Sequence, residues 1–227
     1  MGQVTTLTFF SFKINKIWAF KQMGFAPRLM QNIKGLQFFK FLGTGGKDGF
    51  SLQPDFSTYA FLGVWDDLST YKRCIQNHPV FIKYKKNAST QRQLILKSIK
   101  SYGLWNGQNP FFNSTSNLED YSNMKVVVIT RATLHLNKLI PFWRSVPIAN
   151  KAIKEAEGVI YYKGIGEWPF IQQATISIWK DSESVNDFAY RDKRHSNIIK
   201  KTKQKEWYKE DLFARFYLMS DKTKILN

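Results

Sequence analysis

The sequence QQATISIW at residues 172–179 is followed by a helical stretch at 181–203 and then by DLFARFYL at 211–218. Apolar and polar residues alternate in the first and last pieces, which is the pattern of a strand with one buried face. Apolar residues between them recur at helical spacing, so the segment predicts a strand, an amphipathic helix and a strand. One side of the helix carries Val185, Phe188, His195 and Ile199.

His195 is the residue of this helix side that can bind a metal. Neutral imidazole offers a nitrogen lone pair, so a histidine at the edge of an apolar helix face is a candidate metal or haem ligand. A packed histidine that is bonded to a backbone carbonyl is the alternative, and this residue alone does not decide between the two.

The first half of the chain repeats the same order of elements. Without gaps, Ala60, Leu62, Val64 and Trp65 align with Ala174, Ile176, Ile178 and Trp179. After an insertion of three residues, Leu68, Tyr71 and His78 align with Val185, Phe188 and His195. We therefore predict two copies of a β-α-β-β-α-β unit, the ferredoxin-like arrangement, at residues 1–100 and 125–227. A segment rich in Gly, Asn, Ser and Pro at 101–124 would join them as a linker or packed loop.

Hydrophobic patterning gives the remaining elements. In the first copy it predicts strands at 4–12, 36–42 and 58–65, helices at 17–33 and 66–78, and a further helical piece at 92–99. In the second copy it predicts strands at 125–134 and 158–163 around a helix at 139–155. Pro79 directly follows His78 and disfavours helical geometry there, which makes His195 the better candidate ligand.

The predicted fold class is α+β, with the tandem ferredoxin-like repeats forming a dimeric α+β barrel within one chain. Each sheet has one face covered by helices and needs a cover for the other, and two such sheets can cover each other. The 19 phenylalanines and an aromatic content of 16% suit such a core. We expect the space between the two sheets to form an apolar chamber for a large ligand.

The charge balance and the single cysteine restrict location and partners. The net charge is +17, but basic residues are spread along the chain and match no nucleic-acid-binding motif, so nucleic acid is not an expected partner. Cys74 is the only cysteine, and the start of the chain alternates like a strand rather than a signal peptide. We expect a cytoplasmic protein; a peripheral contact with the inner membrane face and a homodimer are open alternatives.

Several runs resemble those of one enzyme family in the same order. They are TLTFFSFK, WAFKQMGFAPRLM, GLQFFKFLGTG, VITRATL, FWRSVP, KGIGEWP, QATISIW and FAYRDKRHSNIIKKTKQKEWYKEDLFARF. Together they span the chain from about Val4 to Leu218, and the sequence resembles spheroidene monooxygenase and its relatives.

This resemblance implies a haem-dependent oxygenase that acts on an apolar, carotenoid-like substrate. It also implies molecular oxygen and an electron donor such as ferredoxin. Related dimeric α+β barrel proteins hold haem between sheet and helix on a helical histidine, which would make His195 the iron ligand. Candidate partners for haem propionates or bound oxygen are Arg131, Arg144 and Arg28, and surface or interstrand ion pairs are their alternative role. Candidate pocket walls are Trp18, Phe20, Met23, Trp143, Trp168, Phe188 and Ile199, with plain core packing as the alternative.

Two other functions stay open from the sequence. One is a haem-dependent dehydratase or a cofactor-free monooxygenase on the same barrel. The other is a protein without catalytic activity that binds haem or a lipid pigment. Motifs for a Ser-His-Asp triad, an HExxH zinc site and a dinucleotide-binding loop are missing from the sequence.

Overall fold

The chain folds as two successive halves with the same order of elements. A computed structural model describes residues 2–46, 53–112, 124–191, 202 and 204–226. The N-terminal half contains β1 (Val4–Ser11), α1 (Lys16–Leu29), β2 (Leu36–Gly45), β3 (Pro54–Trp65), α2 (Leu68–Asn77), α3 (Pro79–Asn87) and β4 (Thr90–Gly103). The C-terminal half contains β5 (Val126–Leu134), a short 3-10 helix (Leu136–Lys138), α4 (Leu139–Lys154), β6 (Val159–Trp168), β7 (Gln172–Trp179), α5 (Ser182–Asn186), a π-helical turn (Asp187–Arg191) and β8 (Tyr208–Ile225).

The eight strands close into one antiparallel barrel in the order β1-β3-β2-β6-β7-β5-β8-β4. Each half contributes a four-stranded sheet with the ferredoxin-like order 4-1-3-2, and the halves meet where β2 pairs with β6 and β4 with β8. The helices lie outside the barrel. The predicted α+β barrel is therefore confirmed.

The barrel interior is a packed core in the described residues, and not the chamber expected from the sequence. Inward-facing side chains from both sheets meet in one apolar cluster that includes Leu7, Leu62, Ile129, Ile176 and Phe216. An eight-stranded barrel is just wide enough for its own side chains to fill. Large Leu, Ile and Phe residues at these positions leave the outer faces, under the helices, as the place for a ligand.

The connection after β4 closes one end of the barrel. Trp105 is fully buried and packs edge-on against Phe38, with ring centroids 5.6 Å apart. Phe111 is also buried and contacts Phe216 at 5.0 Å, whereas Phe112 is 66% exposed. Trp105 and Phe111 thus anchor the described part of this connection, up to residue 112, to the core.

One predicted element was wrong. Residues 92–99 belong to strand β4 rather than to a helix, and their inward residues Leu94 and Leu96 are fully buried. The apolar Ile95 and Ile99 on the outward side of the strand hide the inward alternation of Leu94, Leu96 and Ser98 from the sequence pattern. The predicted helix at 181–203 begins after Asp181 and takes π geometry from Asp187 to Arg191. Residues 192–201 of this prediction lie outside the described residues.

Side chains fix where the helices begin. Asp67 accepts a hydrogen bond from the backbone N of Thr70 at 2.8 Å, and Asp181 does the same for Ser184 at 2.8 Å. Pro79 opens α3, where its fixed φ suits the first turn. None of the described helices is long and apolar enough to cross a membrane.

Candidate active site

The two halves share one strand register, which allows their outer faces to be compared position by position. Trp65 pairs with Val4 in the N-terminal half, and Trp179 pairs with Val126 in the C-terminal half. Phe188 packs against Trp179 at 5.0 Å, as Tyr71 packs against Trp65 at 5.6 Å. This contact agrees with the sequence alignment of Tyr71 with Phe188.

At three matched positions, aromatic residues of the N-terminal half are replaced by small residues in the C-terminal half. The pairs given by the register are Phe10 and Ala132, Phe41 and Gly164, and Phe61 and Thr175. In the N-terminal half these rings support helix α3: for example, Phe61 lies 4.9 Å from Phe81. The C-terminal sheet lacks this aromatic layer on its outer face.

The small residues lie between two separate apolar clusters. Along β5, Val126 and Val128 belong to a cluster with Trp179, Val185 and the partly buried Phe188. At the other end of β5, Leu134 belongs to a cluster with Phe142, Trp143, Val146 and Trp207. Thr130 and Ala132 occupy the strand positions between them. We call the surface formed by Thr130, Ala132, Gly164 and Thr175 the small-residue face.

A pair of hydroxyl groups lies at the centre of the small-residue face. The Oγ1 atoms of Thr130 and Thr175 are 2.6 Å apart, on adjacent strands. The matched hydroxyl in the N-terminal half, on Thr8, lies 3.3 Å from the Tyr71 hydroxyl of α2. The C-terminal pair can therefore donate or accept a hydrogen bond toward a group on the sheet. Sequence analysis missed both threonines, because their shared place emerges only from the register.

Trp143 is a predicted wall residue that belongs to the cluster at the Leu134 end of β5. It is 9% exposed, and its indole N–H donates to the carbonyl oxygen of Phe170 at 3.1 Å. Phe188 packs in the neighbouring cluster. Arg144 is exposed on α4 and Trp168 is exposed at the end of β6. His195 and Ile199 lie outside the described residues, between Phe188 and Trp207 in sequence.

The four predicted residues of α1 lie in the other half. Trp18 and Met23 pack against the cluster beneath α1, α2 and α3, while Phe20 and Arg28 are exposed. These helices cover strands β1, β3 and β2. In the eight-stranded barrel, β1 is four strands away from β7, β3 from β5 and β2 from β8, so the two sets lie on opposite sides. The structure therefore does not bring Trp18, Phe20, Met23 and Arg28 together with Trp143 and Phe188.

Arg131 faces the barrel interior and forms a buried ion pair. It is 3% exposed and bonds to Glu210 and, at 3.2 Å, to the side-chain oxygen of Asn106. Burial raises the pKa of Glu210, but the N–H groups of Gly107 and Asn106 and the Arg131 charge more than offset it, so the pKa lies below its ordinary value. The interior position of Arg131 is on the opposite side of β5 from the small-residue face.

His78, which aligns with His195, has a structural role at the junction of α2 and α3. Its Nδ1 accepts a hydrogen bond from the backbone N of Val80 at 3.3 Å, and it caps α3. Burial lowers the pKa of His78, which favours the neutral ring that this bond requires. The described residues contain no group of three or more His, Cys, Asp or Glu that could hold a bare metal ion.

Comparison with known proteins gives related sequences and related folds. The chain is 31% identical over 202 residues to the spheroidene monooxygenase of Rhodobacter capsulatus, covering 89% of this chain and 83% of that protein. It is 30% identical over 221 residues to the spheroidene monooxygenase of Cereibacter sphaeroides, covering 96% of this chain and 67% of that protein. No family model matches the chain.

Among solved structures, aldoxime dehydratase in complex with butyraldoxime superposes with a TM-score of 0.64 at 9% identity. That match covers 99% of this chain and 83% of the other, and at this identity it supports the shared fold alone. The two sequence relatives, in contrast, are 30% and 31% identical to this chain, over 67% and 83% of their own length. The chain therefore belongs to the spheroidene monooxygenase family and is an oxygenase.

Proposed function

We propose that this chain is a haem-dependent monooxygenase for an apolar, carotenoid-like substrate, with haem held over the small-residue face. The single observation that carries the cofactor site is the replacement of Phe10, Phe41 and Phe61 by Ala132, Gly164 and Thr175. The substrate class follows the two relatives, which are named for spheroidene.

The chemistry of the residues fits haem better than a bare metal ion. Haem brings its own macrocycle nitrogens, so the protein needs to supply only an axial ligand and a flat apolar slot. Trp143 and Phe142 on α4 and Phe188 after α5 would provide apolar walls. Arg144 is exposed on the same helix layer and stays a candidate partner for a propionate.

His195 is the one of the three histidines that would hold the haem iron, as the family resemblance implies. His78 uses its Nδ1 lone pair to cap α3, in the half whose sheet face is filled by aromatic rings. His135 is exposed beyond the end of β5. His195 follows Phe188 in the sequence of the half that carries the small-residue face.

Insertion of oxygen into an unactivated C–H bond needs a cofactor, and bound haem would supply that oxygen chemistry. The chain's own task is to bind, orient and exclude water. The hydroxyls of Thr130 and Thr175 would be able to donate a hydrogen bond to a polar atom of a bound group and so orient it. The apolar clusters on either side would keep water out and hold a hydrocarbon substrate. An external electron donor, such as a ferredoxin, completes the balance of a monooxygenase reaction.

The test places a phenylalanine at position 175, where the N-terminal half has Phe61. Thr175→Phe should weaken haem binding at least tenfold, measured by titrating haem into the protein and following the Soret band. The matched control is Ile160→Phe, which adds a ring at a 52% exposed position of β6 and should bind haem like the wild type. Equal haem binding by Thr175→Phe and the wild type would contradict the proposed site.

The axial ligand and the reaction are tested separately. His195→Ala should shift or remove the Soret band, whereas His78→Ala should keep it. Oxygen uptake with a carotenoid and a reduced electron donor should require haem. Turnover in haem-free protein would instead support a cofactor-free oxygenase, and dehydration without oxygen uptake would support a dehydratase.

A further inference from the structure

Helix α1 packs Trp18 and Met23 inward but presents four other large apolar side chains to solvent: Ile17, Phe20, Phe25 and Leu29. Of its 14 residues, only Ala19 and Ala26 are fully buried. Ile17 is 74% exposed and Phe25 is 59% exposed. A surface helix of a globular protein normally does the reverse, placing its apolar stripe on the core and its polar residues outside.

The exposed apolar residues continue beyond the helix. Ile14, just before α1, is 77% exposed. Phe20 of α1 contacts Phe56 at the start of β3, with ring centroids 5.9 Å apart, although both rings are more than half exposed. An exposed apolar surface of this kind, rimmed by polar residues, marks an interaction site.

The helices around this surface carry positive charge without any negative charge. Helix α1 has three basic residues, α2 has two and α3 has three, and none of the three helices contains Asp or Glu. Residues 2–46 also contain no acidic residue. We call α1, α2 and α3 the cationic helix layer. Trp18 of α1 packs 5.3 Å from Tyr84 of α3, which holds the layer together.

We propose that the cationic helix layer docks on an anionic lipid bilayer, with Ile17, Phe20 and Phe25 entering the headgroup region. Lys16, Lys21 and Arg28 are exposed on the same helix and would meet lipid phosphates. Exposed aromatic and aliphatic side chains can enter the headgroup boundary, and each neighbouring lysine or arginine adds attraction to anionic lipid. This proposal rests on the surface of the N-terminal half and not on the haem site proposed above.

Two other occupants fit the surface less well. An acidic protein partner would match the charge, but the apolar core of a protein interface is depleted of charged residues, whereas Lys21 lies one turn from both Ile17 and Phe25. A second copy of the chain would bring two cationic layers together, and like charges repel. A bilayer of anionic lipid matches both the charge and the apolar residues.

The experiment is co-sedimentation of the purified full-length chain with vesicles of phosphatidylcholine alone or mixed with phosphatidylglycerol. We expect binding to the mixed vesicles and little binding to phosphatidylcholine alone. The variant Lys16→Glu/Lys21→Glu removes lysines worth about fivefold each in binding to an anionic surface, so it should bind at least about 25-fold more weakly. Ile17→Ser/Phe25→Ser should bind at least about tenfold more weakly.

Matched controls come from α4 and β6 of the C-terminal half. Lys151→Glu/Lys154→Glu makes the same charge change, and Ile148→Ser/Ile160→Ser makes a similar apolar loss at positions 55% and 52% exposed. Both should bind vesicles like the wild type. Circular dichroism melting of all four variants checks that they are folded, and because every changed residue is exposed we expect small shifts.

Each other outcome would overturn the proposal. Binding that is equal in the α1 variants and the wild type would exclude this surface. Absence of vesicle binding, together with a dimer that the α1 variants convert to monomer, would identify a self-association surface. Absence of vesicle binding with capture of an acidic electron donor would identify a protein-docking site. The Soret band of the same samples reports the haem site, so failure there can be told from failure here.

Discussion

Replacement of Glu210 with glutamine is expected to lower the free energy of unfolding by about 3 kcal/mol. The change leaves the Arg131 guanidinium, whose side chain is 2% exposed, without its charged partner. Breaking a buried ion pair from one side costs about 3–5 kcal/mol, and the low end applies here because the Glu210 side chain is 21% exposed. Asn106 alone, at 3.2 Å, cannot neutralise the charge.

The reverse change should cost less. In Arg131→Met, Glu210 keeps hydrogen bonds from the backbone N of Gly107 at 2.7 Å and of Asn106 at 3.0 Å, as well as contact with water. We expect a loss of about 1.5–2 kcal/mol, at the low end of the range for a hydrogen bond to a charged group. The double variant should lose at least about 1 kcal/mol less than the sum of the single losses, because it leaves no unpaired charge.

Urea unfolding followed by circular dichroism at neutral pH measures all three values, and the Soret band of haem-loaded protein is recorded beside it. The reasoning predicts a stability loss with an unchanged haem spectrum. An Arg131→Met protein of normal stability with an altered haem spectrum would refute it, and would place Arg131 at the cofactor, as the sequence resemblance predicts.

Three further predictions follow from single side chains. Trp105→Ala should cost about 3–5 kcal/mol in the same urea assay, because the ring is fully buried, whereas Phe112→Ala, at a 66% exposed position, should cost less than about 0.5 kcal/mol. The pKa of Glu210 in the folded chain is lowered from its ordinary value of 4.5, so its contribution to stability is complete above pH 4.5 and is lost as the pH falls through the lower folded value. Urea titrations between pH 6 and 3 should therefore show that the free energy of unfolding falls less steeply with acid in Glu210→Gln than in the wild type. Burial raises the pKa of the Cys74 thiol to about 11, so Ellman's reagent should react with it slowly until urea unfolds the chain.

The repeated architecture was predictable because it rests on residues that are local in sequence. The alignment of Trp65 with Trp179 needed only strand periodicity, and the structure gives both tryptophans the same strand pairing. The helix predicted at residues 92–99 was wrong because the apolar Ile95 and Ile99 lie on the outward side of β4, so apolar and polar residues do not alternate in the sequence. Ile99 packs there against the cluster of Val126 and Trp179, a tertiary contact that local patterning does not contain.

The site was less predictable than the fold. Resemblance marks Arg131 as part of a shared motif, but it does not say whether the side chain faces the barrel interior or the helices. The small-residue face combines Ala132, Gly164 and Thr175 from three strands, and none of the three is unusual on its own. Their common feature is visible only when the strand register matches each of them with an aromatic residue of the N-terminal half.

The two junctions that close the barrel are unequal in length, and this has a mechanical consequence. The β4–β8 ladder runs from Thr90 to Gly103, whereas β2 and β6 share only two paired positions, at Gly43 and Thr44. Lys40 with Glu167 at 2.5 Å and Lys163 with Asp55 at 3.3 Å brace the short seam. We expect the barrel to open first between β2 and β6 while the β4–β8 pairing stays intact. Amide hydrogen exchange in β2 and β6 should become faster when salt or acid weakens the two ion pairs.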